Sequence, residues 1–332
     1  MDRALVIGGG GWGSALALVL NERGVQVRLA VHDAAYAAEM ARTRRNPRYL
    51  PGIELPQRVE VTAIEQADDG ETVVFSVVPS QFLRATLERW KPSLLKKRRV
   101  FVTATKGIEQ NTLARPTEIV RAVLGDVPLV VLSGPSHAEE VARRMPTTVV
   151  AASADRGIGL RIQDLLNTER FRVYTNGDPL GVELGGALKN VISIAGGIVD
   201  GLGFGDNTKA ALLTRGVVEM ARLGVALGAQ RETMFGLAGI GDLITSCISP
   251  HGRNRAVGIR VGRGEKVADI VASMMQVAEG VRTAAAVHDL AARHKVEMPI
   301  CEQVFAVLHQ DKDPSRAVRD LMGRQLKDEQ EW

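Results

Sequence analysis

The chain has 332 residues, 45% of them hydrophobic and 24% charged, which is ordinary for a globular protein and enough for two domains with cores of their own. A net charge of +4 suits an anionic small ligand, while the few aromatics and the absence of a long basic stripe give no ground for a nucleic-acid partner. Cys247 and Cys301 have no metal-ligand spacing and fit a reducing compartment, and the opening run MDRALVIGG is too short for a signal peptide, so a cytoplasmic protein is expected.

In chain order, Ala4 to Ile7 reads as a short buried strand that enters Gly8-Gly9-Gly10-Gly11-Trp12-Gly13, and Ser14 to Arg23 as a helix. Val25 to Val31 closes a βαβ unit. Further β-branched runs at 72–78, 100–104, 129–132, 147–152 and 171–175 alternate with helical stretches at 81–90 and 116–124. This alternation predicts an α/β, Rossmann-like doubly wound sheet, mostly parallel, in a domain covering residues 1–180. From Val182 on, strands give way to helices at 182–199, 209–227, 266–275, 284–294 and 300–308. An all-α carboxy-terminal domain, 181–332, is predicted.

The segment from Val182 to Asp200 is almost wholly apolar and carries one lysine, Lys189. At helical spacing Gly185, Gly186, Ser193 and Gly196 surround that lysine with small residues, so a ligand or another helix must approach the backbone closely. Two plain readings compete with a catalytic one: a core helix whose lysine snorkels outward, or a membrane span, the latter opposed by Glu183, Lys189 and Asn190. A buried lysine has its ammonium disfavoured and becomes a proton donor and acceptor near neutral pH.

Gly8, Gly10 and Gly13 stand where a dinucleotide fold needs a tight turn, close approach to pyrophosphate and helix packing on the strand. At the end of the second strand stands His32, followed by Asp33, with Arg42, Arg44 and Arg45 further along, which favours NADP(H) over NAD(H). Lys106 in ATKG and the SGPS loop at 133–136 end predicted strands, where ligands of such sheets collect. Gly239-Ile240-Gly241-Asp242 and Gly252-Arg253-Asn254-Arg255 offer a carboxylate and a phosphate-suited helix start. The histidines form no motif with metal-ligand spacing, so no metal is expected. The basic cluster Lys96-Lys97-Arg98-Arg99 reads as a solvated loop.

Taken together, GGGGWGSALA, NPRYLPG, VPS, ATKG, SGPS, ELGGALKNVISIAGGIVDGLGFGDNTKAALLTRG, GLAGIGDLITSC, GRNR, VAEG and MPI resemble the successive motifs of the bacterial NAD(P)-dependent glycerol-3-phosphate dehydrogenases. The resemblance implies reduction of dihydroxyacetone phosphate to sn-glycerol 3-phosphate for phospholipid synthesis. It makes Lys189 the catalytic lysine and Asp242 its partner carboxylate. Lys106 would reach cofactor and substrate, Gly134 and Ser136 would line the substrate, Gly252 would touch it through its amide, and Arg253 and Asn254 would clamp its phosphate. Arg253 would also approach the cofactor, with Gly11, Trp12, His32, Ala138, Val277 and Glu279 as further cofactor contacts.

Three departures bear on affinity. Gly11 stands where the family has serine, alanine or asparagine, His137 replaces a phenylalanine, and Gly252 replaces a serine. The apolar helices suit a homodimer, and no integral membrane contact is expected. Two alternatives stay open: a β-hydroxyacid dehydrogenase of related layout, and a non-catalytic nucleotide sensor.

Overall fold

Runs of valine, leucine and isoleucine between glycine turns form the strands of one sheet, because residues buried on both faces must be apolar throughout. The computed structural model describes residues 3–64, 72–96, 99–274, 278–326 and 328–329. The chain divides into two units: residues up to Thr105 with Pro116–Pro179, and Lys106–Arg115 with the residues from Leu180 on. The segment Lys106–Arg115 thus groups with the helical residues that follow Leu180. Ile108 and Leu113 are buried in the apolar core of the helical unit and take their segment with them.

The first unit is α/β. Its strands are β1 (Arg3–Ile7), β2 (Gln26–Val31), β3 (Arg45–Asn46), β4 (Leu50–Glu54), β5 (Val59–Ala63), β6 (Val73–Ser76), β7 (Val100–Thr103), β8 (Leu129–Ser133), β9 (Thr147–Ala152) and β10 (Phe171–Asn176). Its helices are α1 (Gly11–Glu22), α2 (Ala34–Thr43), α3 (Ser80–Leu94), α4 (Pro116–Leu124), α5 (Ala138–Ala142) and α6 (Arg156–Leu166). Eight strands make one sheet in the order β10-β9-β8-β7-β6-β1-β2-β5, with β3 and β4 as a separate hairpin. All its pairs are parallel except β8 with β9. The chain winds outward from β1 through β2 to β5, then returns to β6 on the other side of β1. The strand order therefore reverses between β1 and β6, the position at which such sheets bind ligands beyond their carboxyl ends.

Local chemistry sets the helix starts. Asp33 caps α2 by accepting from the Tyr36 amide at 3.0 Å, and Asp155 caps α6 through the amides of Gly157 and Ile158. Each side-chain oxygen satisfies donors that a helix cannot satisfy itself. Proline opens α4, where its missing N–H costs nothing.

The second unit is helical: α7 (Pro179–Gly201), α8 (Asp206–Ala226), α9 (Arg231–Met234), α10 (Asp242–Ile248), α11 (Arg253–Gly262), α12 (Val267–Ser273), α13 (Glu279–His294), α14 (Pro299–His309) and α15 (Pro314–Met322), with a π-helical turn at Leu237–Gly241 leading into α10. Helix α7 is buried from Gly181 through Val199. It is long and apolar enough to cross a bilayer, yet every residue of its most apolar stretch is buried inside the protein. Several of its glycines meet neighbouring elements of the same unit. A Cβ at Gly197 would lie 2.1 Å from the Arg255 carbonyl, and one at Gly258 of α11 would lie 2.1 Å from the Ile194 carbonyl. Gly185 likewise faces the backbone of Ala238, and Gly196 faces Cys247. Cys247 and Cys301 are both buried and free.

Candidate active site

Lys189 does not snorkel outward. Its side chain is 9% exposed and its Nζ lies 3.0 Å from Asp242 Oδ1. It also donates to Ser246 Oγ at 2.6 Å. Lys106 Nζ takes the other carboxylate oxygen, 2.6 Å from Asp242 Oδ2. One buried carboxylate thus bridges two ammonium groups, and Ser246 Oγ sits 3.4 Å from Asp242 Oδ1, which accepts its hydroxyl.

The sequence arranges this on rigid elements. Lys189 is at the middle of α7, and Asp242 opens α10 directly after the π-helical turn, a local form often found at functional sites. Four residues on along α10, Ser246 falls on the same face as Asp242.

Burial pushes the Lys189 ammonium down from 10.5 to about 8, with Asp242 opposing the shift and Lys106 adding to it. For Asp242, burial alone would raise the carboxyl, but the two ammonium groups together hold it below its ordinary 3.8. With both lysines protonated the cluster carries one net positive charge. Such a group favours an anion, or an oxygen on which negative charge develops, and one of its members gives up a proton near neutral pH.

The Gly-Arg-Asn segment starts α11. Asn254 donates from Nδ2 to Asn190 Oδ1 at 2.9 Å and accepts at Oδ1 from the Gly280 amide at 3.0 Å. Asn190 follows Lys189 directly, so these bonds tie Asn254 to the lysine's helix and to the start of α13, where Glu279 is half-buried. Arg253 is exposed at the first turn of α11. Gly252 is not an interchangeable departure, since a Cβ there would lie 2.6 Å from the Ser246 carbonyl. A serine would require this backbone to move.

In the first unit, the loop after β1 fits a dinucleotide. Gly8 has φ +119°, and a Cβ on it would lie 2.9 Å from the Val77 carbonyl. A Cβ at Gly13 would fall 1.9 Å from the Gly8 carbonyl, whereas one at Gly10 would meet nothing within 4 Å. Only Gly10 therefore borders open space, the position at which pyrophosphate must approach backbone. No side chain caps the first turn of α1, whose amides suit a phosphate.

Gly11 also owes its identity to packing: a Cβ would lie 2.7 Å from the Tyr49 carbonyl and 3.4 Å from the Ala138 methyl. Ala138 is thereby brought beside the loop. Trp12 packs its ring against Phe171, with centroids 6.4 Å apart.

His32 is exposed after β2. Of the arginines expected near it, Arg44 is occupied elsewhere, donating to the carbonyls of Leu55, Pro56 and Val59. The basic side chain that does reach this strand end is Arg48, which lies 3.6 Å from Asp33 and 4.0 Å above the Tyr36 ring. Sequence reasoning also missed Asn46, whose buried side chain donates to Gly9 O at 3.0 Å and Ser14 Oγ at 2.8 Å while accepting from Tyr36 Oη at 2.6 Å. It belongs to the NPRYLPG stretch and braces the glycine loop from below.

Gly134 follows β8 with φ +131°, and Ser136 donates to its carbonyl at 3.0 Å. Val277 lies outside the described residues. Among the described residues no three or more His, Cys, Asp or Glu side chains gather as metal ligands.

Two family models match the chain: the N-terminal model of NAD-dependent glycerol-3-phosphate dehydrogenase over residues 3–158 and the C-terminal model over residues 178–319. The chain is 50% identical to glycerol-3-phosphate dehydrogenase [NAD(P)+] of Geobacter sulfurreducens over 99% of both chains. Against the enzyme of the same name from Solidesulfovibrio magneticus it is 47% identical, over 98% of this chain and 99% of the relative. Its fold superposes on the crystal structure of glycerol-3-phosphate dehydrogenase from Coxiella burnetii with a TM-score of 0.93 and 39% identity, covering 97% of this chain and 99% of that one. The chain belongs to the NAD-dependent glycerol-3-phosphate dehydrogenase family.

Proposed function

We propose that this protein is an NAD(P)-dependent glycerol-3-phosphate dehydrogenase that reduces dihydroxyacetone phosphate, with Lys189 as the proton donor. The observation that carries the reading is the Lys189–Asp242–Lys106 cluster, in which burial pushes the Lys189 ammonium down to about 8. When bound, the nicotinamide supplies the hydride for C2 of the ketone. Lys189 then has one task, to give its proton to the C2 oxygen, and to take it back in the oxidative direction. Asp242 is a positioning residue: it holds Lys189 Nζ in place, and Lys106 brings a second positive charge toward cofactor and substrate.

Arg253 and Asn254 are assigned to the substrate phosphate, supported by their place at the start of α11. Gly252 can offer only its amide to the substrate, and Gly134 and Ser136 are assigned as further substrate contacts. Arg253→Ala is expected to raise the KM for dihydroxyacetone phosphate by about 10- to 100-fold, the weight of charge-assisted hydrogen bonds, with a far smaller change in kcat. An unchanged KM removes Arg253 from the clamp.

Gly8, Gly10, Gly11, Trp12 and Gly13 are assigned to the cofactor, as are His32, Lys106, Ala138, Arg253, Val277 and Glu279. The finer preference for NADP(H) over NAD(H) rests on His32 and Arg48 at the end of β2. Arg48→Ala is expected to weaken NADPH about tenfold more than NADH, because only the former carries the 2′-phosphate. Equal losses for both nucleotides count against that role. A cytoplasmic homodimer supplying glycerol 3-phosphate to phospholipid synthesis completes the proposal, supported by the two free cysteines and the mainly apolar helical unit. The test of the whole reading is a spectrophotometric assay with dihydroxyacetone phosphate, following NADPH and NADH separately. Oxidation of neither overturns it.

A further inference from the structure

Asn46 is 1% exposed, and an amide shut away from water must find partners for both of its ends. It lies in β3, in the hairpin that stands apart from the main sheet. Its Nδ2 gives one hydrogen to the Gly9 carbonyl at 3.0 Å and the other to Ser14 Oγ at 2.8 Å. Those acceptors stand on either side of Gly10, one in the glycine turn and one in the first turn of α1. The Ser14 amide in turn donates to the Gly10 carbonyl at 3.0 Å. A single buried side chain thus staples the two arms of the turn.

The Asn46 amide is itself oriented. Its Oδ1 accepts from Tyr36 Oη at 2.6 Å and from the Tyr49 amide at 3.3 Å, while Tyr36 Oη accepts from the Arg48 amide at 3.1 Å. A carbonyl can only accept and a backbone N–H can only donate, so each bond of this chain from Arg48 to Gly9 has one direction. Peptide planarity carries the effect into the turn. The Gly9–Gly10 peptide is trans, and in a trans peptide the C=O and the following N–H point opposite ways. With the Gly9 carbonyl held toward Asn46, the Gly10 N–H is held away from it. Gly10 is also the glycine where a Cβ would meet nothing within 4 Å, so the oriented donor belongs to the residue with room beside it for a ligand.

We propose that Asn46 is the positioning residue of the pyrophosphate site: it acts through the turn, fixing the Gly9–Gly10 peptide so that the Gly10 amide faces the pyrophosphate before the cofactor arrives. The inference rests on the assignment of the glycine turn to the cofactor. Glycine leaves the backbone free to rotate such a peptide, and the Asn46 amide removes that freedom. A cofactor then meets an ordered donor and loses no affinity to arranging it.

Asn46→Leu is close in shape and has nothing to donate. In fluorescence titrations of the full-length protein it is expected to weaken NADPH and NADH alike by about 10- to 100-fold, the weight of buried hydrogen bonds lost with their acceptors left unpaired. ADP-ribose, which keeps the pyrophosphate and lacks the nicotinamide, should lose affinity by the same factor. At saturating cofactor, kcat and the KM for dihydroxyacetone phosphate should hold within about twofold. A merely structural residue would lower the folded fraction, and kcat with it, and leave the Kd of the remaining protein unchanged. Tyr36→Phe keeps the ring and Asn46 but removes the hydroxyl that orients the amide. It is expected to raise the Kd for NADPH by about two- to tenfold, and it carries the test if Asn46→Leu does not fold. The inference is refuted if Asn46→Leu, or Tyr36→Phe in its place, binds NADPH as tightly as the wild type, or if ADP-ribose keeps its affinity. A wild type that binds neither dinucleotide overturns the cofactor assignment itself, and this inference falls with it.

Discussion

Lys189→Ala should lower turnover by about 10²–10⁴, the range for removing a positioned acid or base. Cofactor affinity should hold within about twofold, because the side chain acts on the substrate's proton rather than on the nucleotide. Alanine suits a helix and Asp242 keeps Lys106 as its partner, so the variant is expected to fold, which its circular dichroism spectrum checks. Single-turnover measurements separate the chemical step from binding. Turnover near that of the wild type would refute the assignment.

The pH dependence of the wild type follows from the same group. With Lys189 as the proposed proton donor, reduction needs its ammonium, so the rate is expected to fall as pH rises through about 8, while oxidation needs the neutral amine and its rate should rise there. Asp242→Asn removes the attraction that holds the proton on Lys189 and leaves Lys106 beside it, so both limbs should move to lower pH. Limbs that stay near 8 would show that the carboxylate has no hold on the lysine.

Asp242→Asn should also cost stability. Leaving two buried or half-buried cations without their shared anion is expected to cost about 3–5 kcal/mol, read as an earlier midpoint in urea. The sign with pH is fixed by the direction of the shift. Asp242 titrates below its ordinary 3.8 in the folded protein, so its contribution is present above that value and is lost as pH falls through the folded one. The difference in stability between wild type and variant should therefore narrow in acid.

What could be read in advance follows physical lines. The alternation of buried strands and helices was legible, as were the glycine turn after β1 and the one lysine in an apolar run, because each is a local pattern of side chains. The edge strand β5 was passed over because VEVTA is short, and α10 because seven residues make too few turns to show a period, while α11 was legible only as a helix start at Gly252-Arg253-Asn254-Arg255. Ser246 as a partner of Lys189 was not legible, since the two are 57 positions apart and meet only when α10 packs on α7. Arg44 and Arg48 differ by one helical turn in sequence, yet one is bound to backbone carbonyls and the other reaches Asp33. Proximity along the chain could not choose between them. Arg99 misled for the converse reason: a run of like charges says nothing about which member is buried. Lys97 and Arg98 of the same run lie outside the described residues.

The contact of α7 with α11 has a consequence for ligand affinity. Gly197 meets a carbonyl of α11, and Gly258 meets one of α7, each where a single added carbon would clash. Neither helix has room to slide or roll along the other. The helix that carries Lys189, the proposed proton donor, is therefore stationed by main chain, and its freedom is surrendered when the chain folds. A substrate arriving later has no flexible arm to tame, so its binding is not diluted by the entropy of arranging the group that will act on it.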